Sequence, residues 1–315
     1  MLSLVIPVYR NEASLGELLE ALRGVHGSAP DLEVVFVVDG SPDRCAEILA
    51  SSLPSQPFRS QLLVLSRNFG SFAAIRAGLE AGAGDLFAVM AADLQEPPEL
   101  VLGMRDRLLA GTCDIVLGVR ESREDPLVSR LLSRAFWGAY RLLVHREVPR
   151  GGIDVFGCTR RFRDVILALG ESNSTLVGLI LWAGYPREVV GYRRRGRKHG
   201  KSAWSFRRKA RYLLDSTFAF SDLPIRLLEV AGLTGLGLAL VFGLLVLWER
   251  VTGNIRLPGY SATILTVMFF GGLNAFGLGL LGEYLWRTFE NTKARPPFLV
   301  ARHDRFQVSG GRGNG

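Results

Sequence analysis

Short, mostly apolar runs alternate with stretches of helical spacing through the first part of this chain. Leu2 to Val8 is a β-rich run with Pro7 near its end, and from Asn11 to Leu22 apolar residues recur three and four apart, as on one helix face. Leu32 to Val38 is apolar except for Glu33 and ends on Asp39-Gly-Ser-Pro-Asp43; Gln61 to Leu65, a helix from Ala73 to Ala81, and Leu86 to Met90 continue the order. Asp114 to Val119 supplies a further strand, and Pro126 to Val144 an amphipathic helical stretch. Such alternation predicts an α/β domain with a mostly parallel sheet covered by helices. No internal repeat is evident, and Ser309 to Gly315 reads as a disordered end.

Beyond residue 215 the pattern changes. Val230 to Trp248 and Gly259 to Gly282 contain no charged residue, and each is long enough to cross a hydrocarbon layer of about 30 Å as a helix. Together they predict a two-helix transmembrane hairpin with Glu249 to Pro258 as its turn. Phe218 to Leu228 reads as an interfacial amphipathic helix, with Pro224 starting the climb into the bilayer. The expected organisation is a catalytic domain over 1–215, the interfacial helix over 216–229, membrane helices within 230–285, and a tail over 286–315.

The formal net charge is +8 over 315 residues, and it is unevenly placed. Eleven Lys or Arg residues fall between Arg187 and Arg211 against the single acid Glu188. A basic run this dense in a soluble chain would suggest nucleic acid. Just ahead of a membrane hairpin, attraction to anionic headgroups and phosphate substrates is the better reading, and no nucleic-acid partner is expected. Met1 to Pro7 lacks the basic start and apolar core of a signal peptide. The amino-terminal domain and the tail, with Arg287, Lys293, Arg295, Arg302 and Arg305, are therefore expected on the cytoplasmic side. Cys45, Cys113 and Cys158 are too scattered for a metal site and read as reduced.

The carboxyl ends of the strands are where an open α/β sheet presents ligand chemistry. Asp39 stands at one such end, where a carboxylate can accept from a nucleobase or ribose, although Asp-Gly-Ser is also ordinary turn chemistry. At another, Asp93 and Gln95 lie two apart, and an extended backbone would place both side chains on one face. One carboxylate and one amide suffice for magnesium when substrate phosphates and waters complete the shell.

Ile6 to Glu12, Val38 to Ser41, Ser66-Arg-Asn-Phe-Gly70, Ala91-Ala-Asp-Leu-Gln-Glu-Pro-Pro98, Gly118-Val-Arg120 and Phe220 to Arg226 occur in the order found in family 2 glycosyltransferases. More closely, the chain resembles the branch of dolichol-phosphate mannose synthases and bacterial undecaprenyl-phosphate glycosyltransferases, over nearly its whole length. The resemblance implies a GT-A-like, Rossmann-like fold and inverting transfer of sugar from a nucleotide-diphosphate sugar to a polyprenyl phosphate. It implies Mg2+ or Mn2+ as cofactor, and a multi-pass protein of the bacterial inner membrane acting in cell-envelope glycan synthesis. It further implies packing of copies through the hairpin. Residue by residue, it places Pro7, Tyr9, Glu12, Asp39, Asp93 and Arg120 at the nucleotide sugar, Asp93 and Gln95 on the metal, and Arg194, Arg197 and Lys201 on phosphate or acceptor. Asp154 aligns with the proposed catalytic Asp, with Asp93 beside it in the chemistry. The chain departs from the family pattern at Val38, Ala91, Phe156 and Ala203, and lacks arginines at Ser172, Ser174 and Val177. Two other readings compete: transfer to the hydroxyl of another membrane lipid, for which Asp154 must act as a true base, and a non-catalytic membrane partner.

Overall fold

The computed structural model of the chain describes residues 1–122, 138, 140–142, 144, 148–149, 153, 155–171, 174–196, 206–252 and 259–307. Among them, β1 (Leu2–Val8), β2 (Leu32–Val38), β3 (Arg59–Leu65), β4 (Leu86–Val89), β5 (Ile115–Ser122), β6 (Val155–Thr159), β7 (Arg187–Arg193) and β8 (Val300–Phe306) form one sheet. The order is β7-β5-β6-β4-β1-β2-β3-β8. Pairing is parallel except where β6 lies between β4 and β5 and where β8 covers the outer edge of β3. Six strands therefore end at one common edge.

The helices α1 (Leu15–Ser28), α2 (Cys45–Ser52), α3 (Ser71–Ala81), α4 (Glu99–Leu109), α5 (Arg160–Ala168) and α6 (Leu176–Trp182) cover both faces. The apolar strands divide their side chains between these layers, because successive residues point to opposite sides. Leu4, Ile6, Val8, Val34, Phe36 and Val38 pack with α1 and α2, whereas Val5, Val35 and Val37 pack with α3 and α6. That is why β1 and β2 read as nearly continuous apolar runs, interrupted only by Ser3 and Glu33. Helix α1 begins later than its spacing suggests, after a short 3-10 turn at Glu12–Ser14, and continues to Ser28. Close approach of α3 to β1 depends on Gly78, where an added Cβ would lie 2.2 Å from Val5 Cγ1. Gly78→Ala should push the helix off the sheet and cost about 2–3 kcal/mol, read as a lower unfolding temperature of the purified protein.

Three further helices follow: α7 (Phe206–Phe220), α8 (Leu223–Val251) and α9 (Tyr260–Thr292). The expected interfacial helix at 216–229 is divided differently. The amphipathic helix is α7, the chain breaks at Ser221-Asp222, and Pro224 sits in the first turn of α8. The Ser221 hydroxyl accepts from Leu223 N at 3.1 Å and the Asp222 carbonyl from Ile225 N at 3.0 Å, so this polar pair starts the new helix. Leu223–Glu249 and Thr266–Thr292 are long and apolar enough to cross a membrane, and only 6% of the apolar window in each is buried. Both helices therefore present apolar surface that this chain does not cover. Arg287 ties α9 to α7, pairing with Asp215 at 2.8 Å and Glu283 at 2.9 Å over the Phe218 ring. Most of the expected hairpin turn, most of the Pro126–Val144 stretch and the Ser309–Gly315 end lie outside the described residues.

Candidate active site

Four loops at the common strand edge are joined in series by hydrogen bonds. After β1, the Arg10 amide donates to Ser41 Oγ at 2.8 Å and the Glu12 amide to Asp43 Oδ2 at 3.2 Å. In return, the Arg44 amide donates to Glu12 Oε2 at 3.2 Å. These bonds brace the β1 loop against the β2 loop. Burial alone would raise the Asp43 carboxyl, but hydrogen bonds from Ser41, Cys45 and the Glu12 amide outweigh it and hold the group below its ordinary range. Ser14 Oγ then donates to the Ala92 carbonyl at 3.0 Å, fastening the β1 segment to the β4 loop. Tyr9 remains 38% exposed with the Arg10 guanidinium 5.4 Å from its ring centroid, and Arg10 itself has φ +56. A left-handed arginine is strained, and such strain gathers at binding loops.

Asp39 joins the β2 loop to the loop after β3. Its Oδ1 accepts from Phe69 N at 2.7 Å and its Oδ2 from Gly70 N at 2.8 Å, while Asn68 Nδ2 donates to its carbonyl at 3.2 Å. With 2% exposure, this carboxylate shapes the 66–70 loop and the start of α3. Gly40, at φ +55, lets that loop pass, since a Cβ there would lie 2.3 Å from the Arg67 carbonyl carbon. Val38, where the family usually has a first acid, is buried in the core under α1 and α2.

The β4 loop departs from the extended path expected of it. Leu94 has φ +54, so the chain turns between Asp93 and Gln95, and the extended spacing that would place both side chains on one face is absent. Asp93 is half-buried, with Oδ1 accepting from Gln95 N at 3.3 Å. Gln95 is buried, and its amide oxygen accepts from the Arg194 guanidinium. Its backbone carbonyl takes the Arg195 amide at 2.9 Å. The end of β7, with Arg193, Arg194 and Arg195, is thereby latched onto the loop that carries Asp93. Gln95 thus does something the sequence did not suggest: it brings a guanidinium beside the acidic loop. Arg120 lies on β5 opposite Tyr192 of β7 and is half-buried at the same edge.

Among the described residues, no group of three or more His, Cys, Asp or Glu could hold a metal. The donor set nevertheless fits magnesium or manganese through Asp93, because such ions take one or two protein carboxylates and complete their shell with waters and phosphate oxygens. Gln95 does not fit, since a dication there would have to displace the Arg194 guanidinium from its oxygen. Asp154, Arg197 and Lys201 lie outside the described residues, as does Ala203. Pro7 is half-buried within β1 opposite Val37. Burial pushes the Cys45 thiol up to about 12 and raises the Cys158 thiol further, so both stay protonated and unreactive.

The doubly covered, mostly parallel sheet brings an acidic loop and an arginine-bearing strand together at its carboxyl edge, where open α/β sheets present ligand chemistry. The model of Glycosyl transferase family 2 matches residues 3–169, and the chain belongs to that family as a glycosyltransferase. It is 36% identical over 313 residues to an undecaprenyl-phosphate 4-deoxy-4-formamido-L-arabinose transferase of Pseudomonas paraeruginosa, covering 96% of this chain and 90% of that one. It is 31% identical over 302 residues to an uncharacterized glycosyltransferase of Synechocystis, covering 95% and 94%. With a prophage bactoprenol glucosyl transferase homolog of Escherichia coli it shares 27% identity over 303 residues, covering 96% and 98%.

Proposed function

We propose that this glycosyltransferase is membrane-bound and inverting, and that it moves a sugar from a nucleotide-diphosphate sugar to a polyprenyl phosphate. Undecaprenyl phosphate at the cytoplasmic leaflet of a bacterial plasma membrane is the acceptor we assign, in the synthesis or modification of cell-envelope glycans. The observation that carries the reading is the latch of Arg194 onto the Asp93 loop. In this reading it supports a fixed positive group for the leaving diphosphate, in a chain with two exposed membrane-length helices. The names of the two relatives that act on undecaprenyl phosphate or bactoprenol support the acceptor.

In this reading Tyr9 and Pro7 line the nucleotide pocket, and Glu12 and Asp39 keep its loops in place. Asp93 would hold a divalent cation, which would supply positive charge to the diphosphate of the donor. Arg194 supplies the same sign of charge from the protein, and a guanidinium grips phosphate oxygens in pairs. Arg120, Arg197 and Lys201 are assigned to phosphates of donor or acceptor by the family resemblance. The acceptor phosphate is anionic near neutral pH, so an in-line displacement needs orientation more than proton removal. Asp154 takes that orienting role.

Orientation in the membrane is supported by β8, which returns the chain after α9 to the sheet that began it. The two ends of the helix pair then share one side, and positive residues in the tail favour the cytoplasm. Lipid, together with neighbouring helix pairs in a homo-oligomer, would cover the exposed flanks of α8 and α9.

The reading is tested by incubating protein in lipid with a panel of radiolabelled nucleotide sugars, undecaprenyl phosphate and magnesium or manganese. Label in a lipid that releases sugar under mild acid supports it and identifies the donor. Label in an acid-stable glycolipid points to a hydroxyl acceptor instead. Absence of both transfer and donor binding would sink it.

A further inference from the structure

After α9 the chain returns to the donor edge of the sheet. Phe298 packs into the same apolar cluster as Phe69 and Phe72. The Leu299 carbonyl accepts from the Ser66 amide at 2.9 Å, and Val300 then stands opposite Leu65 to begin the antiparallel ladder of β8 on β3. The ladder shifts register between Val64 and Leu65, where β3 gives way to the 66–70 loop. That loop is the one whose Phe69 and Gly70 amides hold the Asp39 carboxylate.

Farther along the strand, His303 Nε2 lies 2.7 Å from Gln61 Oε1. Gln61 Nε2 donates to Glu33 Oε1 at 2.8 Å and to the Ala81 carbonyl at 2.9 Å, so the strand is pinned to a buried polar pair. Otherwise β8 is thinly covered: Val300, Ala301, Arg302, His303 and Arg305 are all exposed. A strand held mainly by its ladder and two end anchors opens at a fraction of the free energy needed to unfold the core. Covering the edge of β3 would by itself explain a capping strand. It does not explain the bond to Ser66 or an anchor in the cluster that holds Phe69.

We propose that Phe298 to Phe306 are positioning residues of the donor site. They hold the 66–70 loop, which holds Asp39, so donor occupancy and docking of the strand are linked, and the end of the second membrane helix is coupled to the nucleotide pocket. The inference rests on the assignment of the donor to this edge of the sheet. Linkage is reciprocal: if the docked strand favours donor binding, donor must favour docking by the same factor.

The test uses the full chain in lipid nanodiscs with UDP, GDP, CDP and TDP, each with magnesium or manganese. Calorimetry finds which nucleotide binds, and hydrogen exchange by mass spectrometry follows each segment. The nucleotide that binds should slow exchange in Val300–Phe306 and in residues 66–70 together, by roughly tenfold. Phe298→Ala should weaken that nucleotide by about tenfold and speed exchange in residues 66–70, and His303→Ala should act in the same direction with a smaller effect. A purely structural role would lower the unfolding temperature while leaving the affinity of the folded protein unchanged. Should Phe298→Ala fail to fold, the wild-type exchange pattern and His303→Ala decide. Nucleotide binding without protection of β8, or with unchanged affinity in the folded variants, overturns the inference and leaves the donor assignment standing. No binding by any nucleotide overturns both.

Discussion

Asp93→Ala is expected to reduce sugar transfer by two to three orders of magnitude or more, about the loss seen when a group stabilising transition-state charge is removed. Asp93 is the half-buried carboxylate of the β4 loop, and the Leu94 turn keeps Gln95 from replacing it. Asp93 Oδ1 accepts from Gln95 N at 3.3 Å, and an unchanged unfolding temperature of the variant separates lost chemistry from lost fold. Metal-dependent donor binding, followed by calorimetry with and without chelator, should disappear with the activity. Ala91→Asp, which restores a second acid to the loop, should tighten the metal. An Asp93→Ala protein that still binds donor in a metal-dependent way would place the cation elsewhere. Gln95→Ala separates the two charges at this edge: it should leave metal affinity near its wild-type value while weakening diphosphate binding, because Arg194 loses its latch.

Asp39→Ala should have the second largest effect, and it should show in stability as well as binding. The substitution removes the acceptor of two loop amides at 2.7 and 2.8 Å in a position 2% exposed. Amides that lose a charged acceptor in a buried place cost about 2–4 kcal/mol together, read as a fall in the unfolding temperature in detergent or nanodiscs. Donor affinity should fall by at least about tenfold, the factor of 1.4 kcal/mol in a binding constant, because the 66–70 loop is no longer fixed. Asp39→Asn should be intermediate, since its amide keeps one acceptor and turns a donor toward the second N–H. If Asp39→Ala loses donor binding with no change in stability, direct contact with the nucleotide, and not shaping of the loop, is its role.

The strands and helices legible in the chain were those buried on both faces or strongly periodic. β1, β2 and β3 and helices α1 and α3 follow the apolar runs closely, because burial dictates residue type at nearly every position. β7 and β8 escaped notice because they lie at sheet edges. Residues such as Arg187, Glu188 and Arg193, or Arg302, His303 and Arg305, are compatible with a strand that water wets. α7 was hidden for a similar reason, as its basic start read as part of a charge run while its apolar side packs under α6 and beside α9. At the site, the motifs fall on the loops after β1, β2, β3 and β4, and the extended backbone expected between Asp93 and Gln95 gives way to a turn at Leu94. A single left-handed residue reverses which way a side chain points, and no apolar pattern records it.

By itself, the sequence determined the class of domain, the doubly covered sheet, the two membrane-length helices and the loops in which ligand chemistry would lie. These follow from hydrophobic burial, which acts along the whole chain and leaves a period that can be read. Only the tertiary structure decided that Asp39 shapes a loop, that Gln95 holds Arg194, and that the segment after the second membrane-length helix closes the sheet beside the 66–70 loop. Those outcomes depend on hydrogen bonds between residues 30 to more than 200 positions apart. Their direction is set by a few backbone angles, and neither spacing nor composition carries that information.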